Sequence, residues 1–524
     1  MKLRTIVKIA ITSSVVLLCS GFALYSFFRL SAAEGQKDFN LYELVPSTTS
    51  AVFVTDDVLE FVAEVDELTC SKNQQYLYVS KLFSYLKQSL YALSEDTPHG
   101  LSRQMNQMLI SFHEPDNERN QVLYCRLGNG DKELVNRFVR KYISSLYPPK
   151  TFIYKGEEII IYPMADGDFL ACYLTSDFMA LSFQKKLIEN VIDAYKSGKS
   201  LADDSTFTGI RAPKKSAAAA TIYTRMQGMM GWTEFDMKMK DDFIYFSGIT
   251  HDADTCFAFI NQLRQQQSVK GFPGEVLPST AFYFSRQGIT DWVSLLSYGN
   301  AQGQSVPART SEVQNRDKEF SRYLMENAGQ DLVACLFQRE DTLQGAAAVL
   351  SLSVADVTEA ERMLRALVNA ASADEGRRNP RITFCYTVNK AYPIYRLPQT
   401  TLFEQLTSFA EPTLDVYAAF YGGRLLLAPD ADALAHYIRQ LDKGEVLNGA
   451  MAYQTGMDHL SDSYHFMLMV DFDHIFQQSE NHVRFVPDFF LRNADFFRHF
   501  TLFVQFACAD GMVYPTIVLK YKSE

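Results

Sequence analysis

Two short phrases constrain this chain more than anything else in it. Leu44-Val45-Pro46-Ser47-Thr48 is echoed by Val276-Leu277-Pro278-Ser279-Thr280, with the shared prolines at 46 and 278, an offset of 232. Thr151-Phe152-Ile153-Tyr154 is echoed at the same offset by Thr383-Phe384-Cys385-Tyr386. Further on, "IENVIDAYKSGKSL" from Ile188 lies over "LAHYIRQLDKGEVL" from Leu434, an offset of 246. The turn "KDD" at Lys240 then lies over "ADG" at Ala509, an offset of 269. Ordered matches whose offsets grow predict a tandem duplication with insertions in the second copy. A chain of 524 residues exceeds one core, so a two-domain division at 43–268 and 269–524 fits its length.

Local patterning gives each half its class. From Asp131 a helical stripe runs through Leu134, Val135, Phe138, Val139, Tyr142, Ile143 and Leu146. Its counterpart carries Met363, Leu364, Leu367 and Val368, with Thr358 and Glu361 as an expected capping box. A second helix should bury Ile188, Val191, Ile192 and Tyr195 and stop at Gly198. Its copy should bury Leu434, Tyr437, Ile438 and Leu441 and stop at Gly444. Between the helices, hairpins are expected with turns at Lys155–Glu157 and Ser176-Asp177, and a long one closes "VQFACADGMVYPTIVLKYK". Consecutive hairpins mean antiparallel pairing. The expected fold is therefore α+β: two tandem pseudo-symmetric domains of antiparallel sheet with packed helices. Residues 298–318, polar and without periodicity, read as a loop.

The N-terminus sets the compartment. Lys2, Arg4 and Lys8 precede an uncharged run from Ile9 to Phe28, long enough for a transmembrane helix. The positive charges place residues 1–8 in the cytoplasm, 9–28 in the inner membrane, 29–42 in a polar linker, and the body in the periplasm or outside the cell. Cleavage after "SAA" at 31–33 is the alternative, but the apolar run is longer than a signal peptide's. Lipidation at Cys19 fits poorly behind the bulky Leu18. Seven further cysteines, an odd number with no C-x-x-C, mostly lie in apolar strand-like runs and read as buried thiols.

Chemical signatures are sparse. The net charge of -11 is spread without a basic block, which argues against nucleic acid. "SGKS" at 197–200 lacks the first glycine of a phosphate loop, since 193 is Asp193, and it follows a helix. Asp471-Phe472-Asp473-His474 could ligate a divalent ion. Polar capping of a strand-to-helix junction explains it without metal. There is no G-x-S-x-G, H-E-x-x-H or G-x-G-x-x-G, and no cofactor is implied.

The two growth steps in the offset place insertions near 398–411, with Leu402 and Phe403, and near 476–497, with Phe485, Phe489, Phe490, Phe496 and Phe497. The first half has Met229, Met230 and Trp232 at the position of the second insertion. Apolar residues outside a shared core mark a candidate interaction surface. The anchor, the internally repeated body and an "L-x-P-x-x-[ST]-x-x-[VF]" strand opening come together here. The opening is carried by Leu44-Val45-Pro46-Ser47 and Leu277-Pro278-Ser279-Thr280. The combination resembles a group of uncharacterised bacterial envelope proteins, and the resemblance transfers no catalytic residue. The expected function is a non-enzymatic, single-pass envelope protein that binds a protein partner in assembly or maintenance of the envelope. A carrier or sensor of an apolar ligand such as lipid, and an enzyme of unrecognised class, are the alternatives.

Overall fold

The structure, a computed structural model, describes residues 39–72, 106–114, 119–128, 131–138, 147–164, 167–211, 218–225, 231–251, 258–293, 295, 311–339, 345–374, 382–388, 390–407, 414–478 and 486–522. The expected anchor, Phe485, Met229 and Met230 lie outside these residues. Among the described residues no helix is long and apolar enough to cross a membrane.

The first ten strands are β1 (Ala51–Thr55), β2 (Met108–Phe112), β3 (Gln121–Arg126), β4 (Lys150–Tyr154), β5 (Glu157–Pro163), β6 (Phe169–Leu174), β7 (Phe178–Ser182), β8 (Ala220–Thr224), β9 (Trp232–Lys240) and β10 (Phe243–His251). A short β11 (Val269–Lys270) pairs apart from them with β19 (Ser463–Tyr464). The others are β12 (Ala281–Gly288), β13 (Ala328–Gln338), β14 (Ala346–Val354), β15 (Ile382–Tyr386), β16 (Ala391–Arg396), β17 (Tyr417–Tyr421), β18 (Arg424–Ala428), β20 (Phe466–Asp471), β21 (Phe500–Ala509) and β22 (Met512–Tyr521).

Twenty of these strands form one antiparallel sheet, so the α+β expectation holds at the level of class. Pairings run β4-β5-β6-β7-β3-β2-β1-β8-β9-β10 and continue as β22-β21-β20-β12-β13-β14-β18-β17-β16-β15. Both free edges are thus the outer strands of hairpins, and β10 meets β22 in the middle with Ser247 opposite Thr516. One apolar core lines one face along both stretches, from Phe53 and Leu181 to Leu350 and Leu427. The other face carries two separate cores, one under helix Lys185–Ser197 and one under helix Ala431–Asp442.

The echoed Pro-Ser phrases make the same connections. Pro46 bridges to Ser200 and Pro278 to Val446. Leu201 N–H donates to Val45 O at 2.8 Å, and Leu447 N–H to Leu277 O at 2.9 Å. Each phrase ties the entry to a central strand to the segment just past a helix end. Those helix ends are glycines in the left-handed region, Gly198 at φ 63° and Gly444 at φ 75°, where a side chain would be strained.

Register corrects one of the sequence matches. Counting outward from Phe53 through Ile110, Leu123, Leu181, Cys172 and Ile160 reaches Thr151 on β4. Counting outward from Ser285 through Ala334, Leu350, Leu427, Ala418 and Tyr395 reaches Ile382 on β15. Ile153 therefore stands where Phe384 stands, and the TFIY/TFCY echo is one residue out of register. The turns explain the slip, because β4–β5 closes through Lys155-Gly156 whereas β15–β16 spans 387–390. Nor do offsets only grow, since Ile110 and Ala334 are 224 apart.

Three local expectations also change. The cap of helix Val357–Asp374 is Asp356, whose carboxylate accepts from Thr358 N at 2.9 Å and Glu359 N at 3.1 Å. Residues 311–318 of the expected loop begin helix Ser311–Asn327, which buries Val313 and Asp317. Tyr195 is 39% exposed, although Ile188, Val191 and Ile192 are buried as expected.

Candidate interaction surfaces

Among the residues marked by the sequence, burial removes several from any surface. Trp232 opens β9 fully buried, with its ring 5.0 Å from Phe207 and Arg225 over its face at 4.8 Å. Leu402 and Phe403 are also core residues. Their helix, Leu402–Leu406, is held by a carboxylate 84 residues earlier in the chain. Asp317 accepts from Thr400 Oγ1 at 2.7 Å, Thr401 N at 2.9 Å and Thr401 Oγ1 at 2.7 Å. A buried side chain accepting from three donors fixes the helix against Phe320 and Leu324, so this segment adds core. The gap left beside it holds roughly one water, which excludes an acyl chain there.

The segment of the second expected insertion is half core and half surface among its described residues. Helices Asp488–Arg492 and Ala494–Phe497 lay an aromatic cluster on helix Phe472–Phe476. Phe497 is buried, with ring centroids 4.8 Å from Phe490, 5.1 Å from Phe496 and 5.6 Å from Phe472. Phe490 and Phe496 are half-buried against the shared core. Phe489 is 47% exposed, supported edge-on by Phe490 and Phe497, and Leu491 beside it is exposed too. Of the described candidates, Phe489 is the exposed one.

The sheet edges form a surface that sequence reasoning missed. On β4, Phe152 is 43% and Ile153 65% exposed; on β15, Phe384 is 54% and Tyr386 71% exposed. Backbone direction makes these edges open. Thr387 N–H donates to Lys390 O at 3.0 Å, so residue 387 faces β16. By strand alternation, the N–H and C=O groups of Ile382, Phe384 and Tyr386 point away from it. In a two-residue hairpin the closing pair Tyr154–Glu157 exchanges both bonds, which leaves Thr151 and Ile153 facing outward on β4. No strand among the described residues pairs with either edge. The sequence signal lies in TFIY and TFCY themselves, short runs with large apolar residues whose facing is set only by the ladder.

Reactive chemistry is weak by comparison. Ser111 Oγ lies 2.9 Å from His113 Nε2 and 3.1 Å from Tyr124 Oη, but Ser111 is fully buried, so no substrate atom reaches it. Burial also pushes His113 down to about 4. In the Asp471 cluster, burial works to raise the carboxyl. The bonds from His474 and from Lys522, whose Nζ lies 2.6 Å away, outweigh it and hold the group below its ordinary value. Asp471 also caps the following helix by accepting from Asp473 N, so a lysine and a helix start occupy the would-be ligand. No group of possible metal ligands occurs among the described residues. Burial pushes the Cys125 and Cys172 thiols up to about 12, far from reactive thiolates. No protein-family model, curated protein or solved structure matches this chain.

Proposed function

We propose that this chain is a single-pass envelope protein, built by tandem duplication of a ten-strand unit, whose exported body binds a protein partner by adding strands to its sheet edges. The observation that carries the binding reading is the pair of open edges, each presenting large apolar side chains beside outward-facing backbone groups. Folded proteins usually blunt such edges with charge, proline or cover. An extended segment that joins an edge gains backbone hydrogen bonds, and side-chain contacts at alternate positions give it specificity.

The duplication reading is supported by the strand order, which is the same read inward from either edge. The rows through Phe53 and Ser285 also reach Ile222 and Leu468, 246 apart, and then Phe235 and Val504, 269 apart. The domain division at 43–268 and 269–524, the anchor at 9–28, the periplasmic body and the kinship with uncharacterised envelope proteins belong to the same proposal, resting on the sequence. A photo-crosslinking residue placed at Ile153 or Phe384 in intact cells tests the binding reading. Protein adducts are expected at these edges and not at Lys238, mid-sheet on β9. Adducts absent from both edges would refute it.

A further inference from the structure

We propose that the β15 edge takes a second copy of this chain, β15 against β15, antiparallel and centred on Phe384. The proposal rests on the reading of the edges as protein-binding surfaces and names the partner for one of them.

The two edges are unequal. On β4 only Thr151 and Ile153 face outward, and the next outward position back along the chain is Pro149, which has no N–H to offer. Lys150 and Lys155 flank that short row. On β15 the outward row is Ile382, Phe384 and Tyr386, and from Ile382 to Val388 the chain has no ionisable carboxylate, amine or guanidinium, no proline and no glycine. The longer turn of the second hairpin is what lengthens the row.

This row matches itself. An antiparallel pair centred on Phe384 sets its N–H and C=O against those of Phe384 in the other copy. It also sets Ile382 against Tyr386 on each side. All of these residues face outward, so the hydrogen-bond parity of an antiparallel ladder is satisfied without a bulge. On one face Ile meets Tyr and Phe meets Phe, pairings that stabilise sheets; on the other, Thr383 meets Cys385. No like charges oppose each other within the strand.

The chain already contains a joint of this form. β10 and β22 hold the same place in the strand order, counted from their own edges, and pair antiparallel with Ser247 opposite Thr516. A β15–β15 joint would extend the sheet by the same geometry. A two-fold pairing of this kind closes on itself, giving a dimer and not a fibre.

The test uses the full chain in detergent, with protein mass measured by light scattering. The expected mass is that of two 59.5-kDa chains. Phe384→Lys puts a charge at the centre of the joint. Phe384→Pro removes an N–H that points away from β16, so it disturbs the intramolecular ladder little. Both should fall to a single chain with thermal unfolding unchanged, while Ile153→Lys on the opposite edge stays dimeric. A wild-type chain that is monomeric at all concentrations, or a dimer that survives Phe384→Lys, would overturn the proposal. If Phe384→Pro unfolds, Phe384→Lys decides. A crosslinker at 384 that captures a different protein refutes self-pairing and leaves the proposed function standing. No adduct at 384 or 153 sinks both.

Discussion

Phe489 and Phe497 lie in two consecutive short helices, and alanine at each should report how that segment divides between core and surface. Phe497 is 7% exposed and packs against Phe472, Phe490, Phe496 and Phe500. Phe489 is 47% exposed and touches two rings. A buried Phe→Ala change costs about 3–5 kcal/mol, from transfer and cavity together. Burying a whole phenylalanine is worth roughly 1.5–3 kcal/mol, so a half-buried ring that leaves no cavity should cost about 1 kcal/mol. The expected gap between Phe497→Ala and Phe489→Ala is therefore roughly 2–4 kcal/mol. Denaturant unfolding followed by circular dichroism measures it, and hydrogen exchange over Asp488–Ala509 localises it. Equal losses at the two positions, or a Phe497→Ala change within about 0.5 kcal/mol of the parent, would refute the division.

Asp317→Ala should cost about 3–5 kcal/mol, because it leaves the buried donors of Thr400 and Thr401 unmatched. Asp317→Asn, which keeps an acceptor, should cost less, and exchange across Leu402–Leu406 reads both. His113 titrates near 6.5 unfolded and about 4 folded, so below pH 6.5 the unfolded state takes up a proton that the folded state refuses. Its contribution is full above pH 6.5 and is lost as pH falls towards 4, roughly 3 kcal/mol in all, and stability of His113→Gln against the parent across that window should show the difference. Asp356→Ala should lower stability by about 1 kcal/mol through loss of the cap, whereas Thr358→Ala should change little; urea midpoints distinguish them.

What the sequence showed and hid divides by range. The turns and helix ends were legible because their causes are local: Gly198 and Gly444 sit at positive φ, and the hairpins close where turn residues occur. Burial of Leu402 and Phe403 was hidden, because the Asp317 carboxylate that docks them is far away in sequence. The edge register was hidden for a different reason. Phe152 and Phe384 look alike in sequence, but a one-residue slip turns a strand over, and only the ladder tells which residue faces out. The cap at Asp356 was missed because Thr358 and Glu361 offered a plausible box two residues later.

The middle of the sheet has a consequence for synthesis. β10 ends at His251, and its partner β22 begins at Met512, so the ribosome adds 260 residues between them. At ~5–20 residues per second, that strand waits from about 13 to 50 seconds for its neighbour. Throughout that interval β10 is an unpaired edge carrying Ile244 and Phe246 on one face and Phe243 and Tyr245 on the other. Released chains truncated before 512 should therefore bind holding chaperones more persistently than the full chain, in which β22 is present to cover β10.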